Sequence, residues 1–100
     1  MEIKGLGASK GTITAKASTA ADFEEGDILI ASMTTPDHLP IMKQASGFIT
    51  EKGSVTCHAA IVAREMNKPC IVRVGFDMWQ IDGQTITLTV EDILRNSITW

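Results

Sequence analysis

The chain has 100 residues and a mass of 10.8 kDa, so residues 1–100 are expected to form a single domain with one core. Hydrophobic residues make up 44% of the chain and charged residues 21%, a balance that excludes intrinsic disorder and favours a soluble globule. The net charge of -3, with nine Lys and Arg spread along the chain, excludes a nucleic-acid surface and favours a metabolite or another protein domain as partner.

We expect neither a membrane span nor a secretion signal in this sequence. No apolar run reaches the roughly 18 residues of a membrane span, and residues 1–7 lack the basic-then-apolar order of a signal peptide. A cytoplasmic location is the default expectation. The two cysteines, Cys57 and Cys70, are too few for a disulfide framework, so both are expected to be reduced thiols.

The first half of the chain predicts strands and turns followed by a helix. Gly5–Gly11 predicts a glycine-rich turn and Thr12–Lys16 alternates like a strand, so a hairpin is expected at the start of the fold. The apolar run Ile28–Ser32 predicts a buried strand. Thr34–Asp37 combines capping residues with an early proline, which marks a helix start. The expected inner face of this helix consists of Leu39, Met42 and Ala45.

The middle of the chain predicts a strand, a loop and the best-defined helix of the sequence. Gly47–Thr50 is typical of a strand, and Glu51–Val55 is typical of a loop. A helix is expected from about Thr56 to Met66, because its apolar residues recur at helical spacing. They are Ala59, Val62, Ala63 and Met66. Asn67 can take the left-handed conformation at the helix end, and Pro69 prevents the helix from continuing.

The last third of the chain returns to strands. Cys70–Val74 predicts a strand, and after a turn at Asp82–Gly83 the alternating segment Gln84–Val90 predicts another. Glu91–Trp100 has no pattern that distinguishes helix from strand. Short strands mixed with two helices indicate a compact α/β domain.

His58 is the residue whose predicted position gives it a chemical use, because it lies in the first turn of a helix directly after a flexible loop. If Thr56 is the N-cap, the backbone N–H groups of Cys57, His58 and Ala59 have no carbonyl partner within the helix. These donors and the positive end of the helix dipole favour a nearby anion such as phosphate. A neutral imidazole also has a nitrogen lone pair that can attack phosphorus.

Local grounds alone leave other interpretations of these residues open. A histidine near a helix start is often a capping or packing residue without chemistry. A nucleophilic pair of Cys57 and His58, as in a hydrolase, is disfavoured because adjacent helical residues point about 100° apart. No metal site is expected, since no pair among the histidines and cysteines has the spacing of zinc ligands. These residues are His38, Cys57, His58 and Cys70.

A longer segment around His58 adds to the local pattern. Gly53–Met66 reads GSVTCHAAIVAREM and resembles the phosphorylation-site signature of the phosphoenolpyruvate-utilising enzymes. That family includes phosphoenolpyruvate synthase, pyruvate phosphate dikinase, the first enzyme of the sugar phosphotransferase system and rifampicin phosphotransferase. Four other segments resemble recurrent segments of the same family, in the same order along the chain. They are Gly5–Gly11, Gly26–Leu29, Thr34–Asp37 and Pro69–Val72.

The resemblance implies a compact β/β/α swivelling phosphohistidine domain, with His58 accepting a phosphoryl group at one site and passing it on at a second. It implies partners: a nucleotide-binding domain and a domain for phosphoenolpyruvate, pyruvate or another acceptor, in the same or separate chains. Mg²⁺ is expected at those partner domains, and no cofactor is expected on this chain. The isolated chain should not turn over, because 100 residues cannot also contain the substrate-binding domains.

The resemblance also assigns roles to the neighbours of the histidine. Thr56 corresponds to an orienting or capping threonine, and Cys57 to a small residue that offers its backbone N–H. Gly53 and Ser54 form the loop that admits phosphate, and Arg64 has a supporting electrostatic role.

Four features depart from the family pattern, and one of them is that the C-terminal end lacks the family's common aspartate-and-glycine hairpin. Ser54 stands where a second glycine is usual, which matters if the backbone there needs a positive φ. Asn67 replaces another glycine, and Arg73–Gly75 interrupts the usual approach to a glycine after the strand. The departure at Ser54 motivates an alternative function, a non-catalytic interaction module with the same fold.

Overall fold

The computed structural model describes residues 1–100 and contains eight strands, two α-helices and two 3₁₀ helices. The strands are β1 (Glu2–Ile3), β2 (Leu6–Ser9), β3 (Gly11–Ser18), β4 (Ile28–Ala31), β5 (Gly47–Thr50), β6 (Cys70–Val72), β7 (Thr85–Val90) and β8 (Asn96–Thr99). The α-helices are α1 (Leu39–Gln44) and α2 (His58–Met66), and the 3₁₀ helices are Pro36–His38 and Gly75–Ile81. None of these helices combines the length and apolar character required to cross a membrane.

The strands are joined in the order β1-β8-β7-β3-β4-β5-β6-β2. β3, β4, β5 and β6 pair in parallel, and all other pairs are antiparallel. The eight-residue strand β3 joins the two halves, since residues 11–16 pair with β7 and residues 17–18 pair with β4. Parallel neighbours require crossover connections, and α1 and α2 provide them on either side of β5.

The parallel strands separate two hydrophobic cores, so the expectation of one core is wrong. Successive side chains of a strand point to opposite faces, so Phe48 lies on the helix side of β5 and Ile49 on the other. The helix-side core contains Leu29, Met42, Phe48, Ala59, Ala60, Val62 and Ala63. The opposite core contains Ile30, Ile49, Ile71, Met78, Ile86, Leu88 and Ile98. Two strand layers and one helix layer result, so the β/β/α architecture is confirmed.

The hairpin expected at the start of the chain is wrong. Leu6–Ser9 forms β2, which pairs with β6, whereas β3 pairs with β7 and β4. Gly7 is required here for a close approach to the turn between β7 and β8, where its N–H donates to the Ile93 carbonyl at 2.8 Å. A Cβ at Gly7 would lie 2.2 Å from the Asp92 carbonyl oxygen. Gly7 therefore allows another segment of the protein to approach closely, and the expected glycine-rich turn does not form.

The other predicted elements follow the structure closely. The strands expected at Ile28–Ser32, Gly47–Thr50 and Gln84–Val90 are confirmed within one residue at each end. In the helix expected after residue 37, Met42 and Ala45 are buried and Leu39 is only partly buried. The strand expected at residues 70–74 ends at residue 72, and the last ten residues contribute β8.

Candidate functional site

The loops that follow β4 and β5 meet beside the start of α2. Ligand sites in parallel sheets commonly lie at this carboxyl edge of the strands. The edge holds a cavity of about 90 Å³. Its lining consists of Met33, Thr34, Thr50, Lys52, Gly53, Cys57, His58 and Ala59. The fold therefore brings His58 together with residues from two loops that precede it in the chain.

His58 is the first residue of α2, and the N-cap is Cys57, so the assignment of the cap to Thr56 is wrong by one residue. The N–H of Cys57 donates to the Ser54 carbonyl at 3.1 Å and closes a turn, so it is not free to bind phosphate as expected. The first-turn N–H groups that donate no hydrogen bond within the protein are those of His58, Ala59 and Ala60. The helix start therefore has three free N–H donors as expected, but they lie one residue later in the chain than predicted.

The imidazole of His58 is partly exposed and is held at one nitrogen. Nδ1 lies 3.0 Å from Oγ1 of Thr34, a buried residue with 7% exposure, and Nε2 has no hydrogen-bond partner. Local sequence patterns do not predict this contact, since Thr34 precedes His58 by 24 residues. Membership of Thr34 in the recurrent segment Thr34–Asp37 is the signal that could have pointed to it.

The backbone conformation of the loop before His58 requires glycine at one position only. Gly53 has φ 124°, a conformation that side chains disfavour, whereas Ser54 is not among the residues with positive φ. Serine is therefore accommodated at position 54 without backbone strain. The Thr56 hydroxyl lies 3.1 Å from the Ser54 hydroxyl and makes no hydrogen bond to the ring of His58. Thr34, not Thr56, is thus the threonine that contacts the histidine.

Arg64 lies away from the cavity. Its Nη1 donates to the Ala8 carbonyl at 2.8 Å and fastens α2 to β2. Six residues of helix, about 9 Å along the axis, separate it from His58. It lines a larger cavity of about 430 Å³ with residues that include Lys10 and Asn67. That cavity holds no nucleophile beside free helical N–H groups, so the smaller cavity at His58 is the candidate site.

The charged and sulfur groups near the histidine complete the site. Lys52 is the one lysine or arginine that lines the cavity, and nothing in the local sequence pattern pointed to it. Cys57 and Cys70 are both free thiols, and burial, reinforced by the neighbouring Cys57, raises the pKa of Cys70. No group of three or more His, Cys, Asp or Glu side chains is arranged to hold a metal ion.

Comparison with known proteins identifies the class to which this fold and site belong. Residues 23–92 match the family model of the mobile domain of PEP-utilising enzymes. A solved structure of Enzyme I (nEIt) superposes with a TM-score of 0.59 at 32% identity, covering 75% of this chain and 32% of that one. The chain belongs to the mobile-domain family of the phosphoenolpyruvate-utilising enzymes.

Similar curated proteins include phosphoenolpyruvate synthases. The chain is 51% identical over 79 residues to a probable phosphoenolpyruvate synthase of Methanothermobacter thermautotrophicus, covering 73% of this chain. It is 47% identical over 97 residues to the probable enzyme of Archaeoglobus fulgidus, covering 89% of this chain. The chain spans 12% and 13% of the length of these two relatives.

Proposed function

We propose that this chain is a phosphoryl carrier in which Nε2 of His58 accepts a phosphoryl group at one active site and releases it at another. The observation that carries the proposal is an imidazole at the start of α2 that is held at Nδ1 and open at Nε2. The resemblance of Gly53–Met66 to the family's phosphorylation signature supports the same residue.

The two nitrogens of the ring divide the chemistry between them. When Nδ1 carries the proton and donates to Thr34, Nε2 keeps its lone pair. Attack by Nε2 forms the N–P bond while the bond from phosphorus to the donor's leaving oxygen breaks. The ring becomes cationic, and Oγ1 of Thr34 accepts the hydrogen bond from Nδ1–H throughout. The reverse displacement delivers the phosphoryl group to the acceptor and restores the neutral ring.

The start of α2 favours the charge that this reaction brings in. A phosphoryl group adds about two negative charges. The N–H groups of His58, Ala59 and Ala60 are free, and the helix dipole contributes roughly half a positive charge at this end. The phosphorylated form is therefore stabilised by the backbone without any bound metal ion on this chain.

Donor and acceptor sites belong, in this proposal, to other domains. The 90 Å³ cavity at His58 is far below the roughly 300 Å³ at which pockets for drug-sized ligands begin, which favours a nucleotide or phosphoenolpyruvate held by another domain. A nucleotide-binding domain and a phosphoenolpyruvate or other acceptor domain, in the same or separate chains, are the partners. Mg²⁺ would be bound there with the polyphosphate, and the isolated chain would not turn over.

Labelling with radioactive phosphate tests the carrier. The protein is incubated with labelled phosphoenolpyruvate or ATP together with the partner domains. An acid-labile, base-stable label should appear in the unaltered protein, persist in His38→Ala and disappear in His58→Ala. Survival of the label in His58→Ala would show that the assignment to His58 is wrong.

The alternative function, a non-catalytic interaction module, was motivated by Ser54, and the backbone at Ser54 does not support it. Ser54 needs no positive φ, so its presence does not argue against phosphorylation. Absence of label with partner domains that phosphorylate a related chain would restore the alternative. A hydrolase that uses the Cys57 thiol predicts inactivation by thiol reagents, and activity retained in Cys57→Ser would exclude it.

A further inference from the structure

The loop between β5 and α2 is attached to the rest of the protein mainly at its first two residues. Residues 51–52 donate their N–H groups to carbonyls at the end of β4, and the Glu51 carbonyl accepts from the Gly75 N–H at 3.0 Å. The Cys57 N–H donates to a carbonyl of the loop itself. Between Gly53 and Thr56 a single hydrogen bond reaches outside the loop. Nε of Arg73 donates it to the Gly53 carbonyl at 3.0 Å. One exposed arginine thus anchors the centre of the loop that precedes the histidine.

Arg73 makes this contact from an unfavourable backbone conformation. Its φ is 57°, in the left-handed region that disfavours residues with a long side chain. The other non-glycine residue in this region is Asn67, a type that tolerates it at a helix end. Glycine would adopt the conformation at position 73 without strain. Such strain persists where the surrounding structure imposes it, and it concentrates at functional sites.

We propose that Arg73 is a positioning residue for phosphoryl transfer, which fixes one wall of the His58 cavity by holding the Gly53 carbonyl. Gly53 lines that cavity. Sγ of Cys57 packs against it, since a Cβ on Gly53 would lie 3.0 Å from that atom. A shift of Gly53 therefore reaches the N-cap that precedes His58. This proposal rests on the proposed function of His58.

Two glycine substitutions separate positioning from stability. Arg73→Gly removes the guanidinium and relieves the left-handed strain, whereas Asn67→Gly relieves the same strain at a residue outside the His58 cavity. Both are compared in the intact protein with its partner domains present. Arg73→Gly should slow label incorporation by roughly fivefold, the effect of one lost hydrogen bond, while its midpoint of thermal unfolding is unchanged or raised. Asn67→Gly should label at the unaltered rate.

A second measurement follows the loop directly. Amide hydrogen exchange at residues 54–56 should be faster in Arg73→Gly than in the unaltered protein and unchanged in Asn67→Gly. Arg73→Lys, which keeps the charge without the planar guanidinium, should not restore the rate. The proposal is overturned if Arg73→Gly labels at the unaltered rate, or if its rate and thermal stability fall together. Failure of the proposed function is distinguishable, because the unaltered protein would then carry no label at His58.

Discussion

The two ring nitrogens of His58 occupy different surroundings, and this difference decides which of them reacts in the proposed mechanism. Nδ1 faces the buried hydroxyl of Thr34, and Nε2 has no partner. A hydroxyl can donate or accept, so Thr34 alone does not determine the tautomer. Phosphorylation at Nε2 requires the Nδ1–H tautomer, because only that tautomer leaves the lone pair on Nε2. Thr34 supports that tautomer and orients the ring.

We expect Thr34→Val to slow phosphorylation of His58 roughly five- to tenfold, because the loss of one hydrogen bond to Nδ1 frees the ring to rotate. The measurement is the initial rate of label incorporation, with the ¹⁵N shifts of the ring reporting the tautomer. Thr14→Val is the matched control, since the Thr14 hydroxyl is exposed on β3 and its hydrogen-bond partner is the Thr87 hydroxyl, away from His58. Equal rates in the two variants would contradict an orienting role for Thr34.

Helix α2 is positioned by small side chains along one face and by contacts at its C-terminal end. Ala59, Ala60 and Ala63 are at most 1% exposed and let the helix approach the sheet closely. The helix ends at Asn67, whose φ of 56° is the left-handed conformation predicted from the sequence. Lys68 then reaches back to α1, and its Nζ donates to the carbonyls of Met42 and Lys43, each at 2.9 Å. The two helices are thereby fixed relative to each other.

We expect Lys68→Met to lower the free energy of unfolding by about 1 kcal/mol, because two carbonyls at the end of α1 lose the hydrogen bonds that the lysine donates. Partial burial lowers the pKa of Lys68, so desolvation opposes part of the gain from these bonds. Urea unfolding measures the change. Lys43→Met removes a lysine from the same region but keeps the backbone carbonyls and their donor. Equal losses in the two variants would show that the hydrogen bonds contribute nothing.

The whole molecule depends on strands that serve two cores at once. β4, β5 and β6 contribute alternate side chains to the helix-side core and to the core shared with β7 and β8. Strand β2 closes the arrangement, because it pairs with β6 and the N–H of its residue Gly7 donates to the Ile93 carbonyl in the turn before β8. The parallel strands, whose carboxyl ends form the His58 cavity, are therefore held on one face by the helix-side core and on the other face by the opposite core.

We expect Gly7→Ala to destabilise the protein by about 1–3 kcal/mol, because the added Cβ meets a backbone carbonyl that cannot move aside cheaply. Gly83→Asn is the control, since no atom lies within 4 Å of a Cβ there and asparagine tolerates the φ of 79°. Chemical denaturation measures both variants. A Gly7→Ala protein as stable as the control would contradict the close approach of β2.

The sequence predicted those features that depend on neighbouring residues. Strands β4, β5 and β7 and the apolar face of α2 follow from periodicity, which is a local property of the chain. The left-handed Asn67 follows from its place between a helix and a proline. His58 was predicted to be the phosphoryl acceptor because the signature around it is one continuous segment of the chain. The family assignment is confirmed, and the role of His58 stays a proposal that labelling will test.

Contacts between residues distant in the chain could not be read from such patterns. The hydrogen bonds from Thr34 to His58 and from Arg73 to Gly53 join residues 24 and 20 positions apart, at loops whose meeting depends on the order of the parallel strands. The segment around Gly7 was expected to form a turn, but it forms strand β2 because it pairs with β6. The sequence by itself determined the helix that begins at His58 and predicted that histidine as the reactive residue, because both depend on adjacent residues. Only the tertiary structure decided what holds that histidine, because its partners lie on loops that sheet pairing brings together.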